Sequence, residues 1–507
     1  MKITSLLYLT SVGIFAGSLQ LPLARAADLT WNGGNSSWTD SGAWLLDGSS
    51  ADWINGSSAL FQTGSTLIVG SGISAAGLLY EGAAVTLNGG SLTLAGNASG
   101  SNGGSATLSG TALTLNSANQ EDRWTVRDTS LSGSSTLTKT GNGTVTLSGT
   151  HTANGTWNIN AGTLVFTGTR DITGGGQINI ASGAVLDASG GRLFHAANYA
   201  SNWEQPTITL NGGTLKLNQF GYNSASLGCL QNNFYALKFS SGTTSRVIIS
   251  QGYESGGTGS RGIYIAGWGT TAVIELGANQ TFTWSSSNGQ NFDSIVCESG
   301  AGSALQLDVG ENSVFNFDQK FANKNTANEY GAPTTSNFSG LSLIKSGSGE
   351  LVIKRANTIS SGRVVRVDAG KLTLDVDNAF GTGSGLGGVN IASGALLSMN
   401  GHTLNNTIEV VSGATLDMGG SSYASRVNWH EGGILLNTEN NKGTLNIMTR
   451  TELELGAKSW AGSVVTDTDT VFTLTTNQNL GALGAAVNCW IGGRGNNNTL
   501  QSISFTG

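Results

Sequence analysis

Short runs in which Leu, Val or Ile alternates with Thr, Ser or Asn recur along the chain, and a glycine corner closes each one. Leu210-Asn211-Gly212-Gly213-Thr214-Leu215, Ile180-Ala181-Ser182-Gly183-Ala184-Val185-Leu186, Ile391-Ala392-Ser393-Gly394-Ala395-Leu396-Leu397 and Val411-Ser412-Gly413-Ala414-Thr415-Leu416 are examples. A period of two puts the aliphatic residues of a strand on one face, and glycine takes a tight corner without a Cβ penalty. One such unit has too little apolar surface to stand alone. Stacking the units so that equivalent positions superimpose merges their apolar faces into one column and lines up Asn and Thr in ladders. The pattern predicts an all-β fold, a parallel β-helix (β-solenoid). The alternative, multiple β-sandwich domains, needs antiparallel hairpins and clear linkers, and no Pro-rich or charged linker divides the chain. At roughly 20 to 25 residues per coil and ~4.8 Å per stacked strand, about 20 coils would form a rod on the order of 100 Å long.

The clearest internal match sets Leu137-Thr138-Lys139-Thr140-Gly141-Asn142-Gly143-Thr144-Val145-Thr146-Leu147 against Leu343-Ile344-Lys345-Ser346-Gly347-Ser348-Gly349-Glu350-Leu351-Val352-Ile353. Both read L-x-K-[TS]-G-x-G-x-[VL]-x-[LI]. A second unit follows each copy, Trp157-Asn158-Ile159-Asn160-Ala161-Gly162-Thr163-Leu164 and Val365-Arg366-Val367-Asp368-Ala369-Gly370-Lys371-Leu372. Two strand-corner-strand units thus recur in the same order.

These paired units resemble the autotransporter-associated β-strand repeat of bacterial surface and secreted proteins. Asn378-Ala379-Phe380-Gly381 is similar to the N-A-L-G element that often follows that repeat, and the Trp31-Asn32-Gly33 opening is similar to the usual start of such passengers. The resemblance implies a right-handed β-helical passenger, exported from a Gram-negative-type cell and displayed or released outside it. A classical autotransporter ends in a translocator barrel of alternating, lipid-facing strands. The chain's last residues, Ser504-Phe505-Thr506-Gly507, continue coil-like sequence instead, with neither a barrel nor a sorting tail expected, which leaves the anchoring partner open.

The N-terminus reads as a signal peptide. One positive charge at Lys2 precedes an apolar segment from Leu6 to Ala16, and Leu23-Ala24-Arg25-Ala26 presents small residues where a signal peptidase reads, so cleavage is expected after Ala26. No later window approaches the ~18 unbroken apolar residues of a membrane-spanning helix. The predicted organisation is a leader at 1–26, an N-terminal cap and first coils at 27–130, β-helix with the first copy at 131–191, an aromatic-rich insertion or irregular coils at 192–268, and β-helix with the second copy at 269–507. Trp31, Trp38, Trp44, Trp53 and Phe61 suit a cap over the open end of the aliphatic column.

Composition agrees with strands: 76 Gly against 3 Pro, 38% hydrophobic and only 11% charged residues, with helix formers scarce and Thr and Val abundant. The formal charge of −7 becomes −9 once Lys2 and Arg25 leave with the leader. An acidic chain without a basic cluster is not built to neutralise phosphates, which excludes nucleic acid as a partner. Cys229, Cys297 and Cys489 are odd in number and far apart. They read as buried thiols, with a Cys229–Cys297 bond as the alternative.

Residues that share a strand face are the candidates for chemistry. Asp375/Asp377 and Asp467/Asp469 have the spacing that puts two carboxylates side by side on a strand, and Asp293, Glu298, Asp308, Glu311 and Asp318 form a looser acidic group. All read as surface charge. His151, His195, His402 and His430 are isolated and lack metal-ligand spacing. Gly383-Ser384-Gly385-Leu386-Gly387-Gly388 reads as a turn. No catalytic set, cofactor or metal is expected. The candidate ligand surface is the aromatic-rich stretch, where Tyr199, Trp203, Tyr222, Tyr235, Tyr253 and Trp268 could stack on sugar rings. The expected role is structural or adhesive, toward carbohydrate or a host or cell-surface ligand; a polysaccharide lyase or glycosidase on the same scaffold is the alternative.

Overall fold

The computed structural model describes residues 27–34, 36–170, 176–193, 207–217, 236–240, 243–249, 263–265, 269–285, 294–297, 302–323, 341–419, 422–438, 443–447, 463–466, 472–474 and 503–505. Among them there is no helix, and the regular structure is short β-strands paired almost throughout in parallel. Parallel pairing excludes a set of antiparallel β-sandwiches. The chain is a right-handed parallel β-helix, the hand that chirality imposes on parallel crossovers.

Among the described residues nineteen strands, from Asp28–Trp31 to Ser463–Thr466, follow one another along the longest face. At ~4.8 Å per strand they span about 90 Å. The alternation read from the sequence decides what lies inside. Val145, Leu164, Leu186, Leu215, Val247, Ile274 and Leu307 are successive register partners, and each is fully buried. A second face runs from Ile73–Glu81 through Ser91–Leu94, Ala112–Asn116, Thr136–Thr140, Trp157–Ile159 and Gln177–Ile180 to Lys320–Asn323. A third is made first by Ser65–Ile68, Ala84–Asn88, Ser105–Ser109 and Thr129–Ser132, and later by a seven-stranded sheet from Thr281–Ser285 to Ile434–Leu436. In both halves the third face follows the long face and precedes the second in chain order.

Register partners along the stack are separated by as few as 18 residues, from Val427 to Leu445, and as many as 38, from Leu307 to Lys345. The wider spacings fall where residues outside the described ones, such as 324–340, lie between the strands. Within 192–268 the described strands Thr207–Leu210, Thr214–Leu217, Ala236–Phe239, Thr244–Ile249 and Ile263–Ile265 continue the long and second faces, and Phe239 is buried in the column.

At the N-terminal end, Asp28–Trp31 pairs in parallel with Ser57–Phe61 and antiparallel with Trp44–Leu46, which in turn pairs with Ser49–Ala51. Ser37 bridges Ile68 on the third face, and the Gly56 amide donates to the Ser74 carbonyl on the second. Each first rung therefore has a partner on its outer side, which removes a template for chain-to-chain pairing. Above the column Trp44 contacts Trp31, Trp38, Trp53 and Phe61 with ring centroids 5.2, 4.9, 4.7 and 5.6 Å away. The Trp31 and Trp44 indole N–H groups are satisfied by Ser65 Oγ and the Trp38 carbonyl.

Candidate functional site

In the first internal repeat, Thr136–Thr140 lies on the second face and Thr144–Leu147 on the long face, with a Gly141-Asn142-Gly143 corner between them. Alternation aims Leu137 and Lys139 inward together, and Lys139 takes a column position between Leu115 and Ile159. It is fully buried. Its Nζ donates to the carbonyls of Thr140 (2.9 Å), Gly141 (2.8 Å) and Ala161 (3.1 Å). An ammonium has three N–H donors, and here three backbone oxygens receive them. Two belong to the lysine's own corner and one to the corner of the next coil, so the side chain ties successive coils together.

The second copy repeats this arrangement. Lys345, also fully buried, sits between Leu307 and Val367, and its Nζ donates to Ser346 (2.7 Å), Gly347 (2.7 Å) and Ala369 (3.0 Å). Burial pushes both amines down to about 8, with Asp308 opposing the shift at Lys345. The glycines complete the unit. Gly162 and Gly370 have φ of +62° and +64°, and a Cβ on either would approach carbonyl oxygens of the preceding corner within 2.6 Å.

A lysine strand, a glycine corner, and a second strand pair stacked on both through Ala161-Gly162 make a single unit. Residues 137–166 match the passenger-associated-transport-repeat family. No curated protein and no solved structure matches the chain. The repeat's motif thus has a local physical reading: Lys supplies the donors, the next coil's Ala-Gly supplies the third oxygen, and glycine permits the close approach. The copy at Lys345 begins on the long face rather than the second, so the two copies are offset by one face around the axis.

The outer surface arranges its charges in pairs. Lys216 lies 3.7 Å from Asp187, Arg246 contacts Glu275 and lies 3.6 Å from Asp308, Arg355 lies 2.7 Å from Asp318, and Lys371 lies 2.9 Å from Glu350. The strand before Asp375 ends at Leu374, so Asp375 and Asp377 occupy a turn rather than one strand face. Asp375 pairs with Lys354 at 2.9 Å, and Asp377 Oδ1 lies 3.2 Å from His402 Nδ1. The Thr403 amide, followed by His402, holds Asp377 below the usual carboxylate range. His430 contacts Glu409 at 2.9 Å. Among the described residues no three His, Cys, Asp or Glu side chains converge as metal ligands. A groove of about 390 Å³ near the N-terminus, lined by Asp28, Ser58, Leu60, Gly77, Leu79 and Asn97 among others, presents Asp28 as its carboxylate.

The six candidate ligand residues, Tyr199, Trp203, Tyr222, Tyr235, Tyr253 and Trp268, lie outside the described residues, as do Asp293, Glu298, Asp467 and Asp469 and the leader at 1–26. So do Cys229 and Cys489. Reading the sequence brought out the repeat but missed the lysine's role within it. The available signal was parity: Lys139 and Lys345 each stand two residues after an inward Leu.

Proposed function

We propose that this chain is an exported, passenger-like protein of the cell surface or medium whose β-helix serves as a structural or adhesive rod. The passenger-associated-transport repeat at 137–166 carries this reading. The outer surface of the first half supports an adhesive role toward a neutral, hydroxyl-rich partner such as carbohydrate. On the third face Thr66, Thr86, Thr107 and Ser130 stand in register. On the second, Ser74, Thr93, Thr114, Thr138, Asn158, Asn179 and Thr209 do the same. These rows offer repeated hydrogen-bonding groups without charge.

Fractionation with an antibody against residues after 26, combined with protease treatment of intact cells, tests the proposal. Protein in the medium or degraded on intact cells is expected, with an N-terminus at Ala27. Full-length protein confined to the cytoplasm and protected from protease would refute it.

A further inference from the structure

The segment Thr150–His151 continues the third face beyond Thr129–Ser132 and pairs in parallel with Thr169–Arg170. Its inward residue is a histidine where the preceding rungs carry Leu67, Leu87, Leu108 and Leu131. His151 and its register partner Arg170 are both fully buried. The imidazole packs against Trp157 (ring centroids 5.8 Å apart) and Phe166 (5.7 Å). Arg170 lies 4.6 Å over the Trp157 ring, and its Nη2 donates to the Gly155 carbonyl at 2.7 Å. Among the described residues, the strands around the imidazole thus present Leu131, Trp157 and Phe166, and one charged group, Arg170.

The tautomer follows from a backbone contact. The Leu131 amide donates to His151 Nδ1 at 3.3 Å, so Nδ1 carries the lone pair and Nε2 the proton. An added proton must go to Nδ1. It removes the acceptor of the Leu131 amide, sets two donors against each other and puts a second positive charge beside Arg170 in an apolar interior. We propose that His151 is an acid-released latch: neutral, it joins the third face across the coils of Leu131 and Arg170, and protonated, it lets that junction open.

The direction of the pH dependence is set by burial, which pushes His151 down to about 4, with Arg170 adding to the shift and the Ser148 carbonyl opposing it. An unfolded histidine titrates near its ordinary 6.5. Between those values the open chain binds more protons, so the closed coil loses stability as pH falls from about 6.5 toward 4.

Two mass-spectrometric readouts on the full chain from residue 27 test the latch. Exchange of the histidine C2 proton in the wild-type protein, followed against pH, should place His151 well below the ordinary histidine value. Titration near 6.5 would overturn the proposal without any variant. Amide exchange, corrected for its intrinsic pH dependence, should rise about tenfold or more in peptides from 148–170 between about pH 6.5 and 4.5, and hold steady in peptides from 364–398. His151→Phe and His151→Gln should abolish that local rise. The same rise in both variants, or none in the wild type, would overturn the latch.

Discussion

An ammonium group inside an aliphatic column is costly unless each N–H finds an oxygen. Lys139 and Lys345 meet that condition with three carbonyls apiece. Lys139→Met would fill the column but remove a donor shared by three oxygens, and we expect a loss of roughly 1–3 kcal/mol in urea unfolding at neutral pH. The pH profile provides a second readout. Both amines are held near 8 in the fold, against an ordinary 10.5. Between those values the unfolded chain binds more protons, so stability should rise with pH across that window, and a Lys139→Met/Lys345→Met double variant should flatten the rise. The inward direction of these lysines was legible in the alternation. Their ligands were not, because no residue type records that a corner turns its carbonyls toward the interior. His151 left even less trace, being one polar residue in a short strand with no second copy to compare.

At the scale of the strand and corner, the glycines separate two kinds of constraint. Gly394 has φ of +78° with open space where a Cβ would sit, so Gly394→Ala carries conformational strain alone, about 1–2 kcal/mol. Gly162 adds close contact: a Cβ would lie 2.4 Å from the Gly143 oxygen and 2.5 Å from that of Gly141. Gly370 faces Gly349 and Gly347 in the same way, at 2.5 and 2.6 Å. Gly162→Ala and Gly370→Ala should therefore cost roughly 3 kcal/mol or more, clearly beyond Gly394→Ala in the same urea titration. Equal losses at all three positions would contradict the stacking of corners. Strand positions were well legible, since Leu164, Leu186, Leu372 and Leu397 all occupy the buried places that alternation assigns. The spacing between rungs was legible only near the repeats. Elsewhere it varies with the number of residues between strands, 38 from Leu307 to Lys345, and alternation gives no measure of that. The candidate ligand surface was read from aromatic density alone, a signal of composition that carries no register.

For the whole molecule, the decisive feature is that one column runs through both repeat copies although they start on different faces. A solenoid tolerates this offset because each coil contacts only its neighbours, so the unit can begin at any corner provided the next coil supplies the matching Ala-Gly. The paired first rungs and the tryptophan cluster close one end, while surface ion pairs such as Lys354–Asp375 and Lys371–Glu350 follow the stacking outside. The proposed export and passenger-like role build on this rod. Disulfide trapping between register partners tests it most directly, since parallel neighbours ~4.8 Å apart fall within bonding range and residues two rungs apart, at about 9.6 Å, do not. In a chain lacking its native cysteines, paired cysteines at Thr138 and Asn158, and separately at Ile344 and Arg366, should oxidise readily within one chain. The pair at Thr138 and Asn179, two rungs apart, should stay reduced. Failure of both adjacent pairs, or equal bonding across two rungs, would contradict the parallel β-helix itself.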